Sequence, residues 1–240
     1  MASAAGTFAL LHAALAHAAD TKIITTDVPP FAYIDNGRLT GVCVDVVQEI
    51  ERRLNVTAPI DVEPWLRAFH AGQEQPRTIL VCPKRTADRE TLFKWVGPIV
   101  TTTADLYALT ARHIQVTSLE DARMLTSILV PRGSYGAKFL ADNGFTNVEE
   151  VDNPHAMFRM LLAGRAPAIF IENAQISALM TEQSIPSNTV RRLLLVLTMD
   201  ADLTFSKDFP DADVAQWQKA LDDMKQDGTY ARIFKHYFPR

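Results

Sequence analysis

The chain has 240 residues, 48% of them hydrophobic, enough to bury a full core as one domain or as two small lobes. Charged residues make up 22% and the formal net charge is −4, with no long basic run. That balance argues against nucleic acid as a partner and against a polybasic membrane patch.

Residues 1–19 read as an export segment. Phe8 to Ala16 is apolar, and Ala16-His17-Ala18 fits the small-x-small cleavage pattern before Ala19. No Lys or Arg precedes the apolar run, so its n-region is defective. The run is also shorter than the ~20 apolar residues of a membrane-spanning helix. The mature protein is expected to be soluble and in an oxidising compartment. Cys43 and Cys82 are compatible with one disulfide but do not demand it, because sequence alone does not place them within bonding distance. Two buried thiols are the preferred expectation.

Lys22 to Thr26 is a short strand candidate, broken by Asp27-Val-Pro-Pro-Phe31. Ala32 to Leu39, with Asp35-Asn36-Gly37 at its centre, reads as a tight hairpin. A helix follows, with Val47, Ile50 and Leu54 on one face and Asp45 in its first turn. Pro59 to Glu63 is a second strand, Pro64-Trp65-Leu66-Arg67 opens a short helix, and Ile79 to Cys82 is a buried strand. This βαβαβ unit predicts a parallel, doubly wound sheet. Thr86 reads as the N-cap of a further short helix whose first turn holds Asp88, Arg89 and Glu90.

Residues 98–105 carry no helical period and are taken as a crossover between lobes, before a strand at Leu106 to Ala111. A second α/β series begins there. Ser118 to Asp121 is a capping box, Ser127 to Val130 a strand, and Ser134 to about Asp142 a helix. Val148 to Val151 is a strand, and Pro154 to Ala163 a helix with Asn153 as cap and Gly164 as terminator. Ala168 to Ile171 and Arg192 to Leu197 are strands. In the tail, Val214, Trp217, Leu221 and Met224 recur at helical spacing, Gly228 terminates, and Tyr230, Ile233 and Tyr237 continue an aromatic stripe read as core.

Common enzyme motifs are absent: there is no Gly-x-Ser-x-Gly, His-Glu-x-x-His, P-loop or Gly-x-Gly-x-x-Gly. The six histidines show no metal-ligand spacing, so neither a metal nor a bound cofactor is expected. What remains is a set of polar and aromatic groups at strand ends, where open α/β sheets bind ligands. Arg89 is a cation in a predicted first helical turn. It is explained either by a neighbouring carboxylate or by a ligand carboxylate that its planar fork holds through two hydrogen bonds. Pro131-Arg132-Gly133-Ser134-Tyr135 follows a strand and starts a helix, so the N–H groups of Ser134 and Tyr135 are a second anion-site candidate, unless the helix is simply capped.

Taken together and in order, these segments resemble the periplasmic solute-binding proteins of the amino-acid-binding type, family 3 of the bacterial extracellular solute-binding proteins. The resemblance covers nearly the whole mature chain. Pro29-Pro30-Phe31, then Gly41 and Asp45, are similar to the opening segment of that family. Thr86-x-x-Arg89 is similar to its carboxylate-binding segment, and Gly133-Ser134-Tyr135 to its carboxylate-binding helix start. Leu161 to Arg165 resembles its Leu-x-x-Gly-Arg ending, and Ser206-Lys207 with Asp227-Gly-Thr-Tyr230 and Tyr237 its C-terminal pattern.

The resemblance implies a two-lobed periplasmic binding protein type II α/β fold, each lobe a doubly wound, mainly parallel sheet. Lobe 1 takes residues 20–104 and 200–240, and lobe 2 takes 105–199. It implies capture of a small polar or carboxylate-bearing solute between the lobes, with hinge closure as the signal to an ABC permease, by a periplasmic monomer without catalytic residues. The solute-binding candidates are Asp27, Phe31, Trp65, Cys82, Lys84, Arg89, Ser134, Tyr135 and Glu172. Trp65 falls where the family stacks an aromatic on the ligand side chain, and Glu172 where an acid accepts its ammonium. Departures from the pattern are Cys43 and Pro167 in place of aspartates, and Cys82, Pro83 and Lys84 in place of small hydroxyl residues. If the strand period of two holds, Lys84 projects to the same side as Cys82 and, with Arg85 and Arg67, points to a more anionic ligand; the alternative is a solvated basic rim. Two other readings stay open: a dehydratase-like enzyme with Glu172 as general acid, and a sensory binding module.

Overall fold

The computed structural model describes residues 21–238, so the predicted export segment lies outside the described residues. The chain forms two compact units. The first takes residues 21–27, 31–100 and 201–238; the second takes 28–30 and 101–200.

In the first unit, strand β1 (Lys22–Thr25) leads to a hairpin of β2 (Tyr33–Asp35) and β3 (Arg38–Thr40). Asn36 and Gly37 both have positive φ, 48° and 79°, as the predicted two-residue turn requires. Helix α1 (Val42–Leu54) buries Val47 and Ile50, and β4 (Ile60–Val62) and helix α2 (Trp65–Glu74) follow. β5 (Thr78–Lys84) lies parallel to β1, which lies parallel to β4. Ile24 of β1 and Leu80 of β5 pack on Ala68 and Ala71 of α2. Ile23 and Ile79, on the opposite face by the strand alternation, are fully buried as well.

In the second unit, β7 (Ile128–Pro131) sits between β8 (Val148–Val151) and β9 (Ala168–Glu172), parallel to both. The alternation of side chains separates two cores. Ile128, Val130, Ala168 and Phe170 pack on one face with Ala122 of α3 (Leu119–Arg123) and with Ala137 and Leu140 of α4 (Tyr135–Asp142). Leu129, Ile169 and Ile171 pack on the other with Met157, Phe158 and Leu161 of α5 (Pro154–Leu162) and with Ile176 and Leu179 of α6 (Asn173–Glu182). Helices cover both faces, the doubly wound arrangement predicted from the alternating elements. The capping box at Ser118 and the Asn153 cap, whose side chain accepts the Ala156 N–H at 2.9 Å, form as read.

Four expectations are corrected. Residues 98–105 do carry the chain from the first unit into the second, but as part of one 16-residue strand, β6 (Lys94–Leu109), rather than as a connection preceding a new strand. β10 (Val190–Phe205) returns in the same way and is far longer than the predicted strand at 192–197. Helix α6 had no counterpart in the sequence reading. The C-terminal helices are α7 (Asp211–Gln226) and α8 (Thr229–Tyr237); α7 buries Trp217, Leu221 and Met224, but no residue of α8 is fully buried, so its aromatic stripe is not core.

Candidate functional site

Within the first unit the sheet order is β4-β1-β5-β10, so the chain leaves β1 to one side for β4 and to the other for β5. The carboxyl ends of β1 and β5 flank that switch point, the expected ligand position in an open α/β sheet. Phe31 follows β1 and is buried; its carbonyl accepts the Cys43 N–H at 3.0 Å. Gly41 makes this approach possible, because a Cβ there would lie 2.3 Å from the Phe31 carbonyl oxygen. Lys84 ends β5, 6% exposed, with its ammonium 4.7 Å from the centre of the Phe31 ring. Asp27 is exposed.

Arg89 is 5% exposed. Its guanidinium lies over Trp65 and Phe69, 5.1 and 4.9 Å from their ring centres, and Nη1 donates to the Lys84 carbonyl at 3.4 Å. Trp65 and Phe69 pair at 5.3 Å, one turn apart on α2. The predicted helix around Arg89 does not form. Residues 87–92 are successive turns, closed by Glu90 N–H to Thr86 O at 3.0 Å and Leu92 N–H to Arg89 O at 2.9 Å. The Thr86 hydroxyl is buried with no partner among the described residues, so it caps nothing. Arg85 pairs with two acids, Glu90 at 2.6 Å and the buried Asp202 at 3.2 Å. The Glu90 hydrogen bonds, foremost, hold its guanidinium well above the ordinary arginine range. Arg67 is exposed.

The cysteines overturn the expectation of two thiols: Cys43 and Cys82 form a disulfide, Cα to Cα 6.3 Å. Their separation of 39 residues gave no hint of it, since α1 and β5 are brought together only by the sheet. Cys82 therefore offers no thiol to a ligand. The strand period also fails at Cys82. Its φ is 57°, and the register with β10 shifts from Leu203↔Val81 to Ala201↔Lys84, so β5 carries one extra residue.

In the second unit the carboxyl ends of β7 and β9 flank the equivalent switch point. Glu172 ends β9, 3% exposed; it accepts from the Thr102 hydroxyl at 2.8 Å and from Gln175 Nε2 at 2.9 Å. Gly133, at φ 63°, closes a turn in which the Ser134 N–H donates to the Pro131 carbonyl at 3.2 Å. The Ser134 hydroxyl accepts the Ala137 N–H at 3.2 Å, and Glu150 accepts the Gly133 N–H at 2.9 Å. The predicted anion site thus loses the Ser134 N–H to the turn itself. Tyr135 packs against the Phe170 core. The sequence reading did not single out Phe69, Thr102 or Gln175; the i, i+4 spacing of Trp65 and Phe69 and the i, i+3 spacing of Glu172 and Gln175 were the available signals.

The model of the bacterial extracellular solute-binding proteins, family 3, matches residues 22–240. The chain belongs to this family. This family 3 protein is 26% identical over 213 residues to the L-cystine-binding protein TcyA of Bacillus subtilis (strain 168), covering 87% of this chain and 77% of TcyA. Its fold is shared with a histidine kinase sensor domain similar to periplasmic binding proteins (TM-score 0.84, 17% identity, 92% of this chain and 96% of that one). An ancestral arginine-binding protein bound to arginine is similar at TM-score 0.80 and 23% identity, over 91% and 97% of the two chains. The fold is the mixed α/β, mostly parallel-sheet architecture of the two-lobed periplasmic binding proteins. No helix among the described residues is long and apolar enough to cross a membrane.

Proposed function

We propose that this family 3 protein binds a small, carboxylate-bearing solute of amino-acid size and delivers it to an ABC permease. The observation that carries the proposal is Arg89, a buried guanidinium at the carboxyl end of β5, stacked on Trp65 and Phe69 beside the unpartnered Thr86 hydroxyl. A guanidinium in that setting takes a carboxylate through two parallel hydrogen bonds, and Thr86 supplies a third donor. In the second unit Glu172, already ordered by Thr102 and Gln175, offers a buried carboxylate suited to accepting from an ammonium group. TcyA and the ancestral arginine-binding protein are named for binding α-amino acids, which have both groups. The disulfide fits export to an oxidising compartment such as the periplasm. Binding, rather than turnover, is the role proposed for Glu172.

A second reading replaces the permease by a signalling partner, and the shared fold with a histidine kinase sensor domain favours keeping it. Mass spectrometry of protein purified without denaturation tests the common core of both. A co-purified solute carrying a carboxylate is expected; a co-purified solute without one would overturn the assignment of Arg89.

A further inference from the structure

The extra residue in β5 sits at an unusual place. A bulge with its extra residue in the left-handed region normally carries glycine, which pays no Cβ penalty there. Here Cys82 occupies it at φ 57°, a conformation that disfavours a residue with a Cβ. Removing one residue from a strand sends every following side chain to the opposite face. The bulge therefore decides on which face Lys84 emerges, two residues later, and the Lys84 carbonyl is the acceptor for Arg89 Nη1.

What holds Cys82 is Cys43, fully buried in the first turn of α1. Cys43 is itself anchored by its N–H on the Phe31 carbonyl, and the Phe31 ring lies under the Lys84 ammonium. The bridge thus connects, in a few bonds, the Phe31 wall, the Lys84 cation and the backbone acceptor of Arg89. We infer that Cys43 and Cys82 are positioning residues of the solute site: the disulfide fixes the left-handed bulge in β5 that presents Lys84 and Arg89. This rests on the proposed solute-binding function, and it assigns to the bridge a role beyond cross-linking the fold.

Glycine separates the two roles. Cys43→Ala/Cys82→Ala removes the bridge and leaves a Cβ at the strained position, whereas Cys43→Ala/Cys82→Gly removes the bridge and the strain together. Both variants and the wild type are compared as full chains, with folding checked by circular dichroism. The first measurement is amide hydrogen exchange over residues 82–92, which needs no ligand. The second is affinity, by calorimetry, for the tightest binder among the twenty proteinogenic amino acids. The alanine variant should exchange faster over 82–92 and bind about 5- to 30-fold more weakly, the size of one left-handed residue's penalty. The glycine variant should recover most of both. A glycine variant no better than the alanine variant, or unchanged exchange and affinity in both, would overturn the inference. If the wild type takes up none of the amino acids, the proposed solute class fails, and the exchange comparison alone judges the role of the bridge.

Discussion

The hydroxyl of Tyr237 joins the C-terminal helix to the start of α1. It donates to Asp45 Oδ2 at 2.7 Å, accepts the Gly41 N–H at 3.1 Å, and lies 2.8 Å from the Thr40 hydroxyl. Tyr237→Phe deletes this hub while keeping the ring. A hydrogen bond to a charged acceptor contributes about 1.5–3 kcal/mol and a neutral one about 0.5–1.5. Tyr237 is only half-buried, so water replaces part of the loss, and the expected cost is about 1.5–3 kcal/mol. At about 2–4 °C per kcal/mol for a chain of this size, Tm should fall by about 3–12 °C. Burial, foremost, pushes the Tyr237 phenol above its ordinary value of 10. A raised folded pKa means that the associated stability is present below pH 10 and is lost as pH rises through the folded value. The gap in Tm between wild type and Tyr237→Phe, measured by scanning calorimetry, should thus persist through neutral pH and shrink in alkali. A variant that melts with the wild type at pH 7 would refute the claim that the hub ties the two helices.

Two further predictions concern single side chains. Glu51 is 7% exposed and its carboxyl is pushed above the usual 4.5 by burial, against the lowering effect of the Ala58 N–H it accepts at 2.7 Å. The stability tied to its neutral form is complete below pH 4.5 and lost as pH rises, so Glu51→Gln should melt above wild type at pH 7 and level with it at pH 4; the reverse order would refute the burial argument. Trp65→Ala removes one face of the Arg89 stack, and with aromatic contacts of about 0.5–1.5 kcal/mol solute affinity should fall about 2- to 12-fold by calorimetry in a folded protein. Unchanged affinity would return Trp65 to a purely structural role.

Local rules carried much of the fold. Asn36-Gly37 fixed a hairpin, Ser118 and Asp121 a capping box, and Asn153 with Pro154 a helix start, because each motif satisfies its own backbone within a few residues. Where tertiary contacts decide, the sequence was silent. Helix α6 has no side-chain cap at its start and buries only Gln175, Ile176 and Leu179, too few to print a helical period. β6 and β10 each run through two units, so their composition changes midway and reads as a break. The cysteine pair and the bulge depend on β5 meeting α1 and β10, an approach no local pattern encodes. Arg89 was legible as a strand-end cation, but its aromatic bed was only half visible, through Trp65.

The central claim is that Arg89 holds a solute carboxylate. Its most direct test is calorimetric affinity, with Tm on the same samples, for wild type, Arg89→Ala and Arg89→Lys, using the solute recovered from native protein. Truncating one side of a buried, hydrogen-bonded charge pair costs on the order of 2–5 kcal/mol, so Arg89→Ala should lose roughly 30- to several-thousand-fold in affinity. Arg89→Lys should not restore it, because a point charge cannot reproduce the planar fork. A lower Tm with unchanged affinity in Arg89→Ala would contradict the account and leave Arg89 as a stacking residue of the Trp65–Phe69 cluster.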